Sequence, residues 1–148
     1  MIRRILLALD GSIRAPGVLE AAIEVASRFD ATIIPFRALD ISPEFPPSAH
    51  TDYADLLPHH LEREAAKEIA RLFGSVDVKR EEPVFGRGQP WRAILQAAEQ
   101  HAADLIVIGS HGFHGIDHVL GATAGKVANL AQTNVLVVHN RDTTSRKT

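Results

Sequence analysis

Cysteine is absent from the 148 residues. Its absence excludes a disulfide scaffold, thiolate zinc, an iron–sulfur cluster and a thiol nucleophile. No apolar run approaches the roughly 18 residues of a membrane span. Neither sign of charge dominates: 16 basic residues against 18 acidic ones leave a net charge of -2. The bases divide 8 and 8 between residues 1–74 and 75–148, and the acids 11 and 7. With no basic arm and no acidic tail, a chain built mainly to hold nucleic acid is excluded. The apolar stretch Ile5–Leu9 sits between Arg4 and Asp10. It is shorter than the roughly 7–15 residues at the centre of a secretory signal, so it reads as a buried first strand. Absent cysteine and absent export signal together point to the cytoplasm.

The length and the 45% hydrophobic content suit one domain, able to bury roughly 68–70% of its unfolded surface. Short apolar runs read as strands: Ile5–Leu9, Thr32–Leu39, Val76–Val84, Leu105–Ile108 and Val135–Val138. Continuous Val/Ile/Leu runs mark parallel strands covered on both faces. The third run alternates at Val76-Asp77-Val78-Lys79, which suggests a sheet edge. Helical stripes lie between the runs. Val18, Leu19, Ala22, Ile23, Ala26 and Phe29 make the first, and Leu57, Leu61, Ala65, Ile69, Leu72 and Phe73, stopped by Gly74, make the second. Ile94, Ala97, Ala98 and His101, opened near Pro90, make the third. Gly121 to Ala131 makes the fourth, with Val127 and Leu130 turned inward.

This alternation predicts an α/β fold: a doubly wound five-stranded parallel sheet, strand order 3-2-1-4-5, with helices on both faces. That order places a switch point between strands 1 and 4, where ligands bind beyond the carboxyl ends of the strands. The domain is expected to span 1–140, with 141–148 a polar flexible tail. The connection from Asp40 to Tyr53 carries Pro43, Pro46 and Pro47. It reads either as a surface loop or as a flap over the ligand site.

Two loops at the switch point carry the chemistry. After the fourth strand comes Gly109-Ser110-His111-Gly112, and later Gly121-Ala122-Thr123 opens the last helix. Glycines permit sharp turns and close backbone approach. A helix start presents N–H groups and a positive dipole end to an anion, and the Ser110 and Thr123 hydroxyls can add hydrogen bonds. The segment is either a phosphate cradle or an ordinary glycine-capped turn. After the first strand comes Asp10-Gly11-Ser12. Asp10 can bond a base or ribose or hold a metal, or Asp10 and Ser12 can cap the first helix.

These stretches resemble the universal stress protein family of small nucleotide-binding α/β domains. The resemblance rests on Ile5-Leu6-Leu7-Ala8-Leu9-Asp10-Gly11-Ser12, on Ala103-Asp104-Leu105-Ile106-Val107-Ile108-Gly109-Ser110-His111-Gly112, on Leu120-Gly121, and on Asn134-Val135-Leu136-Val137-Val138. It implies an adenine nucleotide alpha hydrolase-like fold. The ATP-binding branch of the family has the pattern Gly-x2-Gly-x9-Gly-Ser/Thr. Here Gly109 and Gly112 match the first pair. Gly121 follows after eight residues instead of nine, then Ala122, with the hydroxyl of Thr123 one step later. The resemblance thus implies an ATP site, with magnesium, made by Ala8, Leu9, Asp10, Ala38, Ile108, Gly109, His111, Gly112, Gly121, Ala122 and Thr123. It also implies a homodimer through Val135, Leu136, Val137 and Val138, which would cover an apolar edge. A stress-linked binding module is expected, with slow ATP hydrolysis or a nucleotide-free interaction protein as alternatives. No nucleic-acid or membrane partner is expected.

Other motifs carry less. His111, His114 and His118 beside Asp117 have spacings that suit a helix, but Gly112 and Gly115 oppose one, so no metal site is expected. Gly121 to Val127 has three residues between its glycines where a P-loop has four, and Val127 lacks the metal-binding hydroxyl. No Gly-x-Gly-x-x-Gly follows the first strand, which opposes a dinucleotide dehydrogenase. Gly86-Arg87-Gly88 reads as a loop tip, with Arg87 solvated. Lys126 reads as a helix-surface residue. A phospho-acceptor receiver domain needs an aspartate after the third strand, where Glu81-Glu82-Pro83 is read instead.

Overall fold

The computed structural model describes residues 1–39, 52–110 and 120–139. Nine elements alternate: β1 (Arg4–Ala8), α1 (Ala15–Phe29), β2 (Thr32–Leu39), α2 (Asp52–Phe73), β3 (Val84–Arg87), α3 (Pro90–Gln100), β4 (Leu105–Gly109), α4 (Ala122–Leu130) and β5 (Asn134–Val138). The five strands form one sheet in the order β3-β2-β1-β4-β5, and all four pairings are parallel. The switch point therefore falls between β1 and β4, as expected.

Strand parity explains the unbroken apolar runs, because successive side chains point to opposite faces and both faces are covered. Ile5, Leu7, Leu9, Ile33, Leu105 and Val107 pack beneath α1 and α2, against Val18, Leu19, Ala22, Ile69 and Phe73. Leu6, Ile34, Phe36, Ile106 and Ile108 pack on the other face, against Ala93, Ile94, Ala97, Ala98, Ala124 and Val127 of α3 and α4.

Several boundaries differ from the sequence expectation. The third strand is not Val76–Val84 but Val84–Arg87. Val76 is exposed, and Pro83 has no N–H to donate to a ladder. Upstream of it only an isolated bridge forms: the Ile33 N–H donates to the Lys79 carbonyl at 2.8 Å, and the Glu81 N–H to the Ile33 carbonyl at 2.9 Å. Gly86 and Arg87 thus belong to a strand, not to a loop tip, and Gly88 rather than Glu81 follows it. Helix α2 starts at Asp52, before Leu57. Phe29 is 46% exposed, since it lies in the last turn before the left-handed Asp30 (φ 54°). Leu130 is 53% exposed, because the buried stripe of α4 runs through Ala124 and Val127 to the half-buried Ala131. The residues 40–51 of the long connection and the tail 140–148 lie outside the described residues.

The amino end of the sheet is tied by Asp104. One carboxylate oxygen accepts the main-chain N–H groups of Arg3 and Arg4, both at 2.9 Å. Those two bonds hold its pKa below the ordinary value of 3.8. Arg4 also donates from Nε to the His101 carbonyl at 2.8 Å, and pairs with Glu81 at 2.6 Å.

Candidate functional site

The carboxyl ends of β1, β2 and β4 converge where the switch point lies. Ala8 ends β1, opposite Phe36 of β2 and Ile108 of β4. Ala38 lies opposite Gly86 of β3. Ala8, Ala38 and Ile108 share the sheet face covered by α3 and α4, next to Ala124 in the first turn of α4. Leu9 has its side chain in the core beneath α1, and its N–H donates to the Phe36 carbonyl at 2.9 Å. Only its main chain reaches the edge.

Asp10 is exposed and closes a local turn, its carboxylate accepting the Ser12 N–H at 2.9 Å; the Ser12 hydroxyl accepts the Arg14 N–H at 3.2 Å. Neither residue caps α1. The N-cap is Arg14, whose own side chain makes no capping bond to the helix start. The helix starts two residues later than a Ser12 cap requires, because Pro16 suits its first turn. Gly11 has φ +72°, and a Cβ there would stand 3.1 Å from the Arg37 guanidinium. Arg37 pairs with Glu68 at 2.6 Å and supports this turn from below. Sequence reasoning passed over Arg37. Its signal was one charge inside the apolar run Thr32–Leu39.

At the end of β4, Ser110 is 3% exposed. Its N–H donates to the Val138 carbonyl at 2.9 Å, and its carbonyl accepts the Gly121 N–H at 2.8 Å. The connection between β4 and α4 is thus pinned at both feet. The Ser110 hydroxyl is buried without a hydrogen-bond partner among the described residues. Gly121 is the N-cap of α4 and, being glycine, brings no side chain to the helix start. Ala122 is exposed and Thr123 half-buried. Gly109 faces α1: a Cβ on it would stand 3.2 Å from Val18, so packing also favours glycine there. His111, Gly112, His114, Asp117 and His118 lie outside the described residues. Among the described residues no group of three His, Cys, Asp or Glu side chains gathers as metal ligands.

Other positions are now fixed. Lys126 is exposed, as expected, and its ammonium lies 5.1 Å from the centre of the Trp91 ring. Arg87 ends β3 and is exposed. A wide recess of about 530 Å³ opens at the opposite, amino end of the sheet, beside Met1, Ile2, Phe29 and Asn134. It contains none of the site residues.

The fold and these strand ends define a doubly wound, single-sheet α/β protein whose switch point lies beside Ser110, which ties the end of β4 to the start of α4. The chain belongs to the universal stress protein family: it matches the family's profile, "Universal stress protein family", over residues 1–139. It is 33% identical over 141 residues to universal stress protein A homolog 1 of Coxiella burnetii, covering 92% of this chain and 95% of that protein. Among solved structures it is similar to universal stress protein UspA from Lactobacillus plantarum, with a TM-score of 0.71 and 25% identity over 93% of this chain and 97% of the other. A universal stress protein solved in complex with cAMP matches with a TM-score of 0.61 and 25% identity, covering 95% of this chain and 99% of the other.

Proposed function

We propose that this chain is a stress-response module that binds an adenine nucleotide, ATP with magnesium, at the carboxyl ends of β1 and β4. The observation that carries the reading is the Ser110 hydroxyl, buried and unpartnered among the described residues at the uncapped start of α4. A buried hydroxyl without a partner destabilises the ligand-free protein, and an anion at this helix start gives it one. The base would lie against Ala8, Ala38 and Ile108, with Asp10 at its edge. Gly109, Gly121, Ala122 and Thr123 would meet the ribose and phosphates, together with His111 and Gly112. Magnesium would be carried on the phosphates. The neighbour crystallised with cAMP supports a nucleotide ligand. We further propose that the chain works in the cytoplasm as a homodimer. Strand β5 lies at the sheet edge, and Val135, Leu136, Val137 and Val138 are all only half-buried there.

Calorimetric titration with magnesium ATP, paired with melting curves, tests the site. Heat of binding and a raised melting temperature are expected; no heat and no shift at millimolar nucleotide would sink the reading. Ser110→Ala should raise the melting temperature of the ligand-free protein, because about 1–3 kcal/mol of desolvation is relieved. It should also weaken ATP about fivefold. Light scattering should give twice the 16.1 kDa chain mass, whereas a single-chain mass at micromolar concentration contradicts the dimer.

A further inference from the structure

The cluster Trp91, Arg92 and Lys126 is left unused by the nucleotide contacts above. Trp91 stands in the first turn of α3 and Lys126 in the second turn of α4. Both helices begin at the carboxyl end of the sheet, on the face that holds Ala8 and Ala38, and Trp91 packs at the border of that same core. The Lys126 ammonium lies 5.1 Å, and the Arg92 guanidinium 5.0 Å, from the centre of the indole ring. Both cations are exposed.

Neither cation of this cluster is neutralised by a carboxylate among the described residues. Arg4, Arg28, Arg37, Lys67 and Lys79 each pair with a carboxylate. An aromatic face orders a cation without neutralising it, so two fixed positive charges are left facing solvent. The indole N–H is a third donor, buried and without an acceptor among the described residues. The two exposed cations, held side by side by the indole, suit an anion. Lys126 lies four residues along from Ala122, about 6 Å up the helix axis. Its side chain leans back toward the helix start, where the phosphates would sit.

We infer that Trp91, Arg92 and Lys126 receive the outer phosphates of the bound nucleotide and make this chain selective for nucleoside polyphosphates over mono- and cyclic monophosphates. The inference rests on the nucleotide reading of the site. A monophosphate ends at the start of α4 and leaves the cluster empty. A triphosphate extends to it and gains charge-assisted hydrogen bonds. Lys126 is the residue to change, because it is exposed and has no carboxylate partner among the described residues.

The experiment is calorimetric titration of the unsubstituted chain, Lys126→Met and Lys126→Arg with magnesium ATP, AMP and cAMP. The unsubstituted chain should prefer ATP over the other two by at least about tenfold. Lys126→Met should lose about tenfold for ATP and stay within about twofold for AMP and cAMP. Lys126→Arg should restore ATP. An unchanged ATP affinity, or an equal loss for all three ligands, overturns the inference while leaving the nucleotide site standing. Failure of the unsubstituted chain to bind any of the three overturns the site itself, and the selectivity with it.

Discussion

Phe36→Ala is expected to destabilise the fold by about 3–5 kcal/mol, a large share of the roughly 5–15 kcal/mol that holds a domain together. Phe36 is 1% exposed and packs among Leu6, Ile34, Ala93, Ile94 and Ile108. Its ring also fills the space under Gly86. A Cβ on Gly86 would stand 2.8 Å from the Ala93 Cβ and 2.9 Å from the Phe36 Cζ. Gly86→Ala alone should therefore cost about 1–3 kcal/mol through overpacking. The two sites are coupled. Phe36→Leu removes the colliding ring atoms but leaves the Ala93 Cβ, so in that background Gly86→Ala should cost about 1 kcal/mol less yet stay destabilising. Urea unfolding of the two single variants and the double variant measures this directly. Costs that add to within about 0.5 kcal/mol would show that ring and glycine do not share this space.

Gly121→Val should reduce nucleotide affinity by at least about a hundredfold and leave the fold nearly intact. Gly121 has φ -54° and ψ 155°, which any residue adopts, so its backbone does not require glycine. Its N–H bonds the Ser110 carbonyl, and its own carbonyl accepts the Gly125 N–H at 2.8 Å; valine keeps both bonds. A valine N-cap is poorer than glycine by no more than about 1 kcal/mol. The branched side chain would instead stand at the start of α4, where the proposed site places the phosphates. Melting curves separate the two effects: an unshifted ligand-free melt with lost binding heat supports the site, and normal binding refutes it.

The sheet was legible because its signal is coarse. Buried parallel strands need continuous apolar runs, and four of the five runs lie on strands to within a residue at either end. The third misled because Val76, Val78 and Val84 supply β-branched residues while Pro83 breaks the ladder between them. Pro35 of β2, two residues from Ile33, likewise has no N–H, and such a break in the ladder is invisible to hydrophobic pattern. Helix stripes were read well in their middles and poorly at their ends. Phe29 and Leu130 continue a periodicity beyond the point where the sheet can cover it. At the site, glycines and hydroxyls announced a strand–loop–helix connection. The support given to Gly11 by Arg37, and the packing of Lys126 on Trp91, come from residues distant in sequence and carry no local signature.

The central position of β1 has a further consequence, for the order in which the molecule can be completed. Of the five strands, the one synthesised first is the middle of the sheet. One neighbour, β2, is synthesised soon after, but the other pairs Ile5 with Leu105. Until β4 has been synthesised, one whole edge of this buried strand has no partner. Its closure then depends on a contact between distant residues, of the kind that slows folding. The Asp104 carboxylate, which bonds Arg3 and Arg4, arrives one residue ahead of that second neighbour. It can hold the amino terminus in register as β4 slides in.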